Sequence, residues 1–291
     1  MFSLKQLLFS DALANSSGIY TAAWHDFIAQ SFGGEVARAR GLLMLSGASP
    51  WPGLNLAIVE SPLESAKDLE QRVREASAFY HLKNRSWLMI ACEKWTAKMT
   101  PDEIRRAFRA SDMYEMEAVC GMAAEDILPP SRSAPALEFR AVDNTETEEV
   151  FGMINAQAYS TPPDWLTSAM MRNRIWSKAA RAYVGYADGR PVSTAMVLDT
   201  RKTLYVAWIA TPPSERRYGY AEAVMRHTLA EAQKRFGHEP MHLHATHAGA
   251  RLYRRLGFAH VANFSMFLFP SDRLDHSISS AVVTRQSILS A

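Results

Sequence analysis

Leu204-Tyr205-Val206-Ala207-Trp208-Ile209-Ala210 runs through Thr211-Pro212-Pro213-Ser214-Glu215 into Arg216-Arg217-Tyr218-Gly219-Tyr220-Ala221. The first seven residues are apolar and β-prone over a short span, which predicts a buried strand. Beyond Tyr218, apolar or small residues recur at Ala221, Val224, Met225, Thr228, Leu229, Ala232 and Phe236. Spacing by three and four predicts one face of a helix, and Gly237 supplies its stop. A loop entering a helix leaves the first backbone N–H groups without intrahelical partners, at the positive end of the helix dipole. Such an end is an anion site. Gly219 lets the backbone turn tightly or approach a ligand where a Cβ would collide. Small Ala221 acts similarly, and Arg216 and Arg217 add charge suited to a phosphate. On the residues alone, the stretch is a candidate pyrophosphate cradle in a strand–loop–helix unit.

Downstream, the pattern predicts a strand over 241–246, a short helix over 248–256 and a strand over 260–269. In the first half, a helix over 63–82 precedes a strand over 87–92, a short helix over 101–110 and a strand over 114–122. Both halves therefore run helix, strand, short helix, strand, offset by about 150 residues, which predicts a duplicated architecture. Between them lies Pro129-Pro130-Ser131-Arg132-Ser133-Ala134-Pro135, which can hold neither a helix nor a central strand. The expected organisation is a first domain at 1–128, a linker at 129–135, a second domain at 136–270 and a tail at 271–291. The fold class is α/β (α+β), each domain a mixed central sheet flanked by helices.

Composition sets the outer bounds. The 291 residues carry 32 basic and 30 acidic side chains, a net charge of +2, and 48% are apolar. That apolar share builds a core and excludes a disordered chain. The near-neutral balance argues against duplex nucleic acid as partner. No apolar run reaches the roughly 18 residues of a membrane span, and the start lacks the basic and apolar pattern of a secretory leader. Cys92 and Cys120 make no disulfide framework. The expectation is a cytoplasmic protein, monomer or homodimer, without membrane or nucleic-acid partners.

Arg216-x-x-Gly219-x-Ala221, placed after a strand and opening an amphipathic helix, resembles the acyl-CoA pyrophosphate loop of the GNAT superfamily of N-acetyltransferases. Leu252-Tyr253-Arg254-Arg255-Leu256-Gly257-Phe258 resembles the Leu-Tyr-x-x-x-Gly-Phe segment of that family's last helix, and 136–143 resembles its opening strand and turn. The resemblance covers about 136–269. It implies acetyl-CoA as acyl donor and a small-molecule or amino-acid-like amine as acceptor. It places Arg216, Arg217, Tyr218, Gly219, Tyr220 and Ala221 on the pyrophosphate, and the backbone of Ile209, Ala210 and Thr211 along the pantetheine arm. Thr246 stands where many members carry Asn, as a further cofactor contact. Tyr253 stands where the family carries its general acid. A phenol with a pKa of about 10 stays protonated at neutral pH and can protonate a leaving thiolate. No side chain is assigned as base: Glu222, Glu231 and Asp199 are surface candidates, and water can serve instead. The competing function is an acyl-CoA-binding or interaction module that acetylates nothing.

Two further readings bear on the site. His238-Glu239-Pro240-Met241-His242 matches His-Glu-x-x-His, but that zinc pattern works only on a helix, and Pro240 sits inside it. His242 and His244 share one face of a strand, with His247 close by; no metal ligand is assigned, and His244 is a candidate for the acceptor pocket. In the first half, Ser61-Pro62-Leu63-Glu64 reads as a capping box, with Ser61 as cap and Pro62 at the first helical position. Glu60, Glu64 and Asp68 there would repel a pyrophosphate. The first domain is therefore expected to be a degenerate GNAT-like copy that packs on the active domain or lines its acceptor pocket.

Overall fold

Three first-half strands, β2 (Leu42–Ser46), β3 (Asn55–Val59) and β4 (Trp87–Cys92), are buried at every residue. Such strands need cover on both faces. In the computed structural model, which describes residues 15–116 and 118–271, helices supply that cover. The described residues open with α1 (Ser16–Gln30) and β1 (Glu35–Ala39) ahead of β2 and β3. Helix α2 (Ala66–His81), β4, α3 (Glu93–Thr96), α4 (Pro101–Arg109), β5 (Tyr114–Glu115) and β6 (Val119–Ala124) follow. The second half runs β7 (Glu138–Ala141), α5 (Thr145–Tyr159), α6 (Pro163–Met170), α7 (Ile175–Lys178), β8 (Ala180–Ala187), β9 (Arg190–Asp199) and β10 (Leu204–Ala210). It ends with α8 (Tyr220–Phe236), β11 (Met241–Thr246), α9 (His247–Arg255) and β12 (Ala259–Phe269).

One sheet joins both halves in the order β1-β2-β3-β4-β12-β6-β11-β10-β9-β8-β7, with β5 paired to β12. Each half contains one parallel pair, β3 with β4 and β10 with β11, and antiparallel neighbours otherwise. A helix, α2 or α8, joins the members of each parallel pair. The repeated order of elements thus rests on a repeated topology. The last strands are exchanged: β12 lies against β4, with Phe264 opposite Cys92, and β6 lies against β11, with Gly121 opposite His244.

Alternation sorts the core. Leu43, Leu45, Leu56, Ile58, Leu88 and Ile90 face α1 and join α5, α6 and α7 in one core that spans both halves. Leu42, Met44, Ala57, Val59, Met89 and Ala91 face α2 and α4 on the opposite side. Val206, Leu243 and Ala245 face α8 and α9 in a third cluster. Among the described residues, no helix is long and apolar enough to cross a membrane.

Several expected boundaries shift. Helix α2 begins at Ala66 with Ser65 as cap, its Oγ accepting from the Asp68 N–H at 3.2 Å; Ser61 and Glu64 form no capping box. The cause is tertiary. Leu63 N–H donates to the Trp95 carbonyl at 2.7 Å, and Arg72 donates to the carbonyls of Ser61 and Pro62, so this stretch is held outside the helix. The strand expected over 114–122 is two strands, β5 and β6, which pair with different stretches of β12. Of the tail expected at 271–291, all but Ser271 lies outside the described residues, as does the start, where no secretory leader is expected.

Candidate active site

Strand β10 is the axis of the site. Its pairing with β9 runs to Ala207 opposite Met196 and resumes at Ala210 opposite Thr194, so β10 carries one extra residue. Trp208 sits in this bulge at φ +52°, the left-handed region that a bulky side chain avoids. Surrounding contacts hold it there. Thr194 Oγ1 donates to the Trp208 carbonyl at 3.0 Å, and Ser193 Oγ donates to the Ala210 carbonyl at 2.9 Å. Asn155 on α5 donates to Thr194 Oγ1 at 3.1 Å, tying the bulge to a helix. Strain fixed from several sides in this way is characteristic of binding and catalytic sites.

On its other edge, β10 pairs with β11 only over Leu204–Val206 against Met241–Leu243. Both strands continue, to Ala210 and Thr246, so the sheet opens into a wedge beyond Val206. Ile209, Ala210 and Thr211 line one edge of the wedge and Thr246 ends the other. Thr246 also caps α9, its Oγ1 accepting from Gly249 N–H at 3.3 Å.

The loop after β10 forms a short 3₁₀ turn at Pro213–Glu215. The Arg216 guanidinium donates to the carbonyls of Thr211 (3.2 Å) and Ala158 (3.4 Å), which pins the loop to β10 and α5. Arg217 (φ +74°) and Gly219 (φ +89°) both turn left-handed, and Gly219 opens α8 without a side-chain cap. Ala223 N–H donates to the Gly219 carbonyl at 3.1 Å, which leaves the N–H groups of the preceding helical residues outside the intrahelical ladder. A Cβ on Gly219 would lie 3.1 Å from Arg132 Nη2, a guanidinium brought in by the linker. Glu222, the acid of this first turn, is paired with Arg226 at 2.9 Å. Tyr218, 64% exposed, stacks on Tyr220 with centroids 5.5 Å apart. The loop, the helix start and the wedge therefore meet at one end of β10.

Tyr253 lies half-buried on α9, its ring 6.0 Å from that of Phe258. Burial, and then the neighbouring Tyr159 phenol, raise its pKa above the ordinary tyrosine value. The Tyr205 phenol is raised too, by burial first and then by Tyr20, with Tyr159 and Tyr253 contributing. Tyr205 Oη lies 3.1 Å from His244 Nδ1, while His244 Nε2 has no partner. His242 is fully buried with neither ring nitrogen paired, and burial lowers its pKa to about 3. The stretch from His238 into His242 is not helical, and His238 pairs with Asp126 at 2.7 Å. Among the described residues, no cluster of three metal-binding side chains occurs.

The corresponding place in the first half is differently built. Pairing of β3 with β4 also stops early, at Ile58 opposite Ile90, but the Leu63 to Trp95 hydrogen bond bridges the ends beyond it. At the start of α2 the anion position holds a carboxylate of the chain itself. Asp68 accepts from Glu64 N–H (3.1 Å) and from Arg72 (2.9 Å), and Arg72 is 5% exposed. A cavity of about 560 Å³ between α1, Trp95 and the β9–β10 turn is lined by both signs of charge, including Asp26, Glu60, Lys94 and Arg201.

An acceptor region at about 156–177, with help from first-half tryptophans such as Trp51, is legible in the sequence; the way these rings meet around the bulge is not. Trp24 from α1 and Trp51 from the β2–β3 connection each lie 5.7 Å, centroid to centroid, from Trp208. Tyr159 lies 5.3 Å from Trp51 and 6.3 Å from Trp208. No local pattern marks these residues, because three chain segments far apart in sequence contribute them.

The acetyltransferase (GNAT) family model matches residues 146–258. A comparison with curated proteins gives no match. Among solved structures, the fold is similar to a GCN5-related N-acetyltransferase from Kribbella flavida, at 19% identity and a TM-score of 0.64, covering 90% of this chain and 98% of that one. It is also similar to a GCN5-related N-acetyltransferase-like protein from Streptococcus suis, at 10% identity and a TM-score of 0.53, covering 88% and 98%. A tandem GNAT protein from the clavulanic acid biosynthesis pathway aligns at 13% identity with a TM-score of 0.50, covering 81% and 83%. At these identities the likeness is one of fold.

Proposed function

We propose that this chain, whose residues 146–258 match the GNAT acetyltransferase family model, transfers an acetyl group from acetyl-CoA directly to an amine of a small-molecule or amino-acid-like acceptor. We take 136–270 as the catalytic unit and 1–128 as its degenerate partner, joined at 129–135. The observation that carries the reading is the junction of wedge, left-handed loop and uncapped helix start at one end of β10. Acetyl-CoA supplies the thioester when bound. The N–H groups at Gly219, Tyr220 and Ala221 and the charge of Arg217 suit its pyrophosphate, with Tyr218 at the rim. Arg216 holds the loop in shape from behind. The edge of Ile209, Ala210 and Thr211 has backbone groups free of β11 for the pantetheine arm, and Thr246 closes the opposite edge. Tyr253 keeps its proton across the neutral range, because burial and the Tyr159 phenol both favour the neutral form, and it donates that proton to the leaving thiolate.

The test separates binding from chemistry. Saturating acetyl-CoA should raise the melting temperature of wild type and Tyr253→Phe alike, since a ligand of the native state stabilises it. Thiol release over a panel of primary amines should fall about 100-fold or more in the variant, the usual scale of a lost proton donor. Equal turnover in the two proteins refutes the role of Tyr253. The absence of any thermal shift refutes the acyl-CoA reading itself.

A further inference from the structure

We infer that the acceptor pocket is walled jointly by the two halves of the chain and selects a primary amine bearing an aromatic ring, with Trp51 as the determinant supplied by the first half. The inference rests on the acyltransferase reading above and names its acceptor class. Trp51 is built to hold one position. Its N–H donates to Ser49 Oγ at 3.1 Å, and its carbonyl accepts from Asn55 Nδ2 at 3.1 Å. Asn55 is fully buried and also donates to the Ser49 carbonyl at 3.0 Å. Gly53 leaves room for the indole, since a Cβ there would stand 2.5 Å from its ring. The β2–β3 connection thus delivers a preorganised, half-buried ring against Trp208 at the bulge and Tyr159, which is 44% exposed.

The chemistry of this wall narrows the acceptor. Trp51 and Tyr159 present π faces and edges, the surface that pairs best with another aromatic ring, and Trp208 and Trp24 back them from the core. Behind them, the Trp24 and Trp208 indole N–H groups and His244 Nε2 are buried without partners. His244 is kept neutral by burial and by His242, so it adds no charge to the wall. The groups facing it are Tyr20 from α1, Tyr205 from β10, His242 from β11 and Phe264 from β12, again without a carboxylate. A polycationic amine would need carboxylates to hold its second charge, and these residues provide none. A mono-amine with an aromatic body fits them, its nitrogen toward the wedge and its ring on Trp51.

The experiment compares 2-phenylethylamine with butylamine at saturating acetyl-CoA, following thiol release. Wild type should show kcat/KM at least about tenfold higher for 2-phenylethylamine. In Trp51→Ala this ratio should fall by about five- to tenfold, carried by a rise in KM for 2-phenylethylamine, and Trp51→Phe should restore most of it. A purely structural role for Trp51 would instead depress both amines together, and that outcome overturns the inference. Equal use of the two amines by wild type also overturns it, while leaving the acyltransferase reading intact. Turnover of neither amine without an acetyl-CoA thermal shift removes both.

Discussion

Acidification should cost this protein stability through one imidazole in particular. His242 is fully buried, neither of its nitrogens is paired, and its pKa is lowered from 6.5 to about 3 by burial. In the unfolded chain the same group titrates near 6.5, so between these values the unfolded state binds a proton that the native state refuses. Its stabilising contribution is therefore complete above 6.5 and is lost as pH falls toward 3. At 1.36 kcal/mol per unit, moving from about pH 7.5 to about pH 5 removes about 2 kcal/mol through this residue. His244, lowered by burial and then by His242, acts in the same direction. The assay is urea unfolding of wild type and His242→Leu at both pH values. The wild type should lose about 2 kcal/mol more than the variant on acidification, or roughly 4–8 °C in melting temperature. Equal losses in the two proteins would refute the claim that this imidazole is held neutral by burial.

Two other perturbations address the two helix starts. Gly219→Val places a β-branched side chain at φ +89° and against Arg132; it should cost about 1–3 kcal/mol and abolish the acetyl-CoA thermal shift, whereas a retained shift would show that the loop does not hold the pyrophosphate. Arg72→Met strands the carbonyls of Gly41, Ser61 and Pro62 and unpairs Asp68; unfolding measurements should show a loss of about 3 kcal/mol, with acetyl-CoA affinity unchanged because that guanidinium belongs to the other half.

What could be read from the sequence was whatever one chain segment encodes by itself. The strand, loop and helix from Leu204 to Phe236 each have their own periodicity, and Gly219 marks its own turn. Helix α1 lacked such a signal because its buried face mixes Ser16, Ser17 and Thr21 with Ile19, Tyr20 and Phe27, which blurs the apolar stripe. Strands β2 and β3 are covered on both sides, so their apolar runs do not alternate. The false capping box at Ser61 obeyed every local rule and lost to the Trp95 and Arg72 hydrogen bonds. Tyr253 could be singled out only through the family resemblance, since a tyrosine on a short helix ordinarily packs for its ring. Trp51 stands out in the sequence only as one of several first-half tryptophans, because what separates it from a core residue is its contact with Trp208 in the other half.

The exchange of β6 and β12 gives the duplication a consequence for how the chain is made and divided. A cut at 129–135 would not yield two free-standing halves. Each fragment would lack a strand from the middle of its sheet and carry one that belongs to the other, so the pieces would stay clasped. During synthesis, β4 and β6 wait with open edges until β12, the last strand among the described residues, has been made and can pair with both. The two halves are thus locked together by β12, and neither is finished before the other.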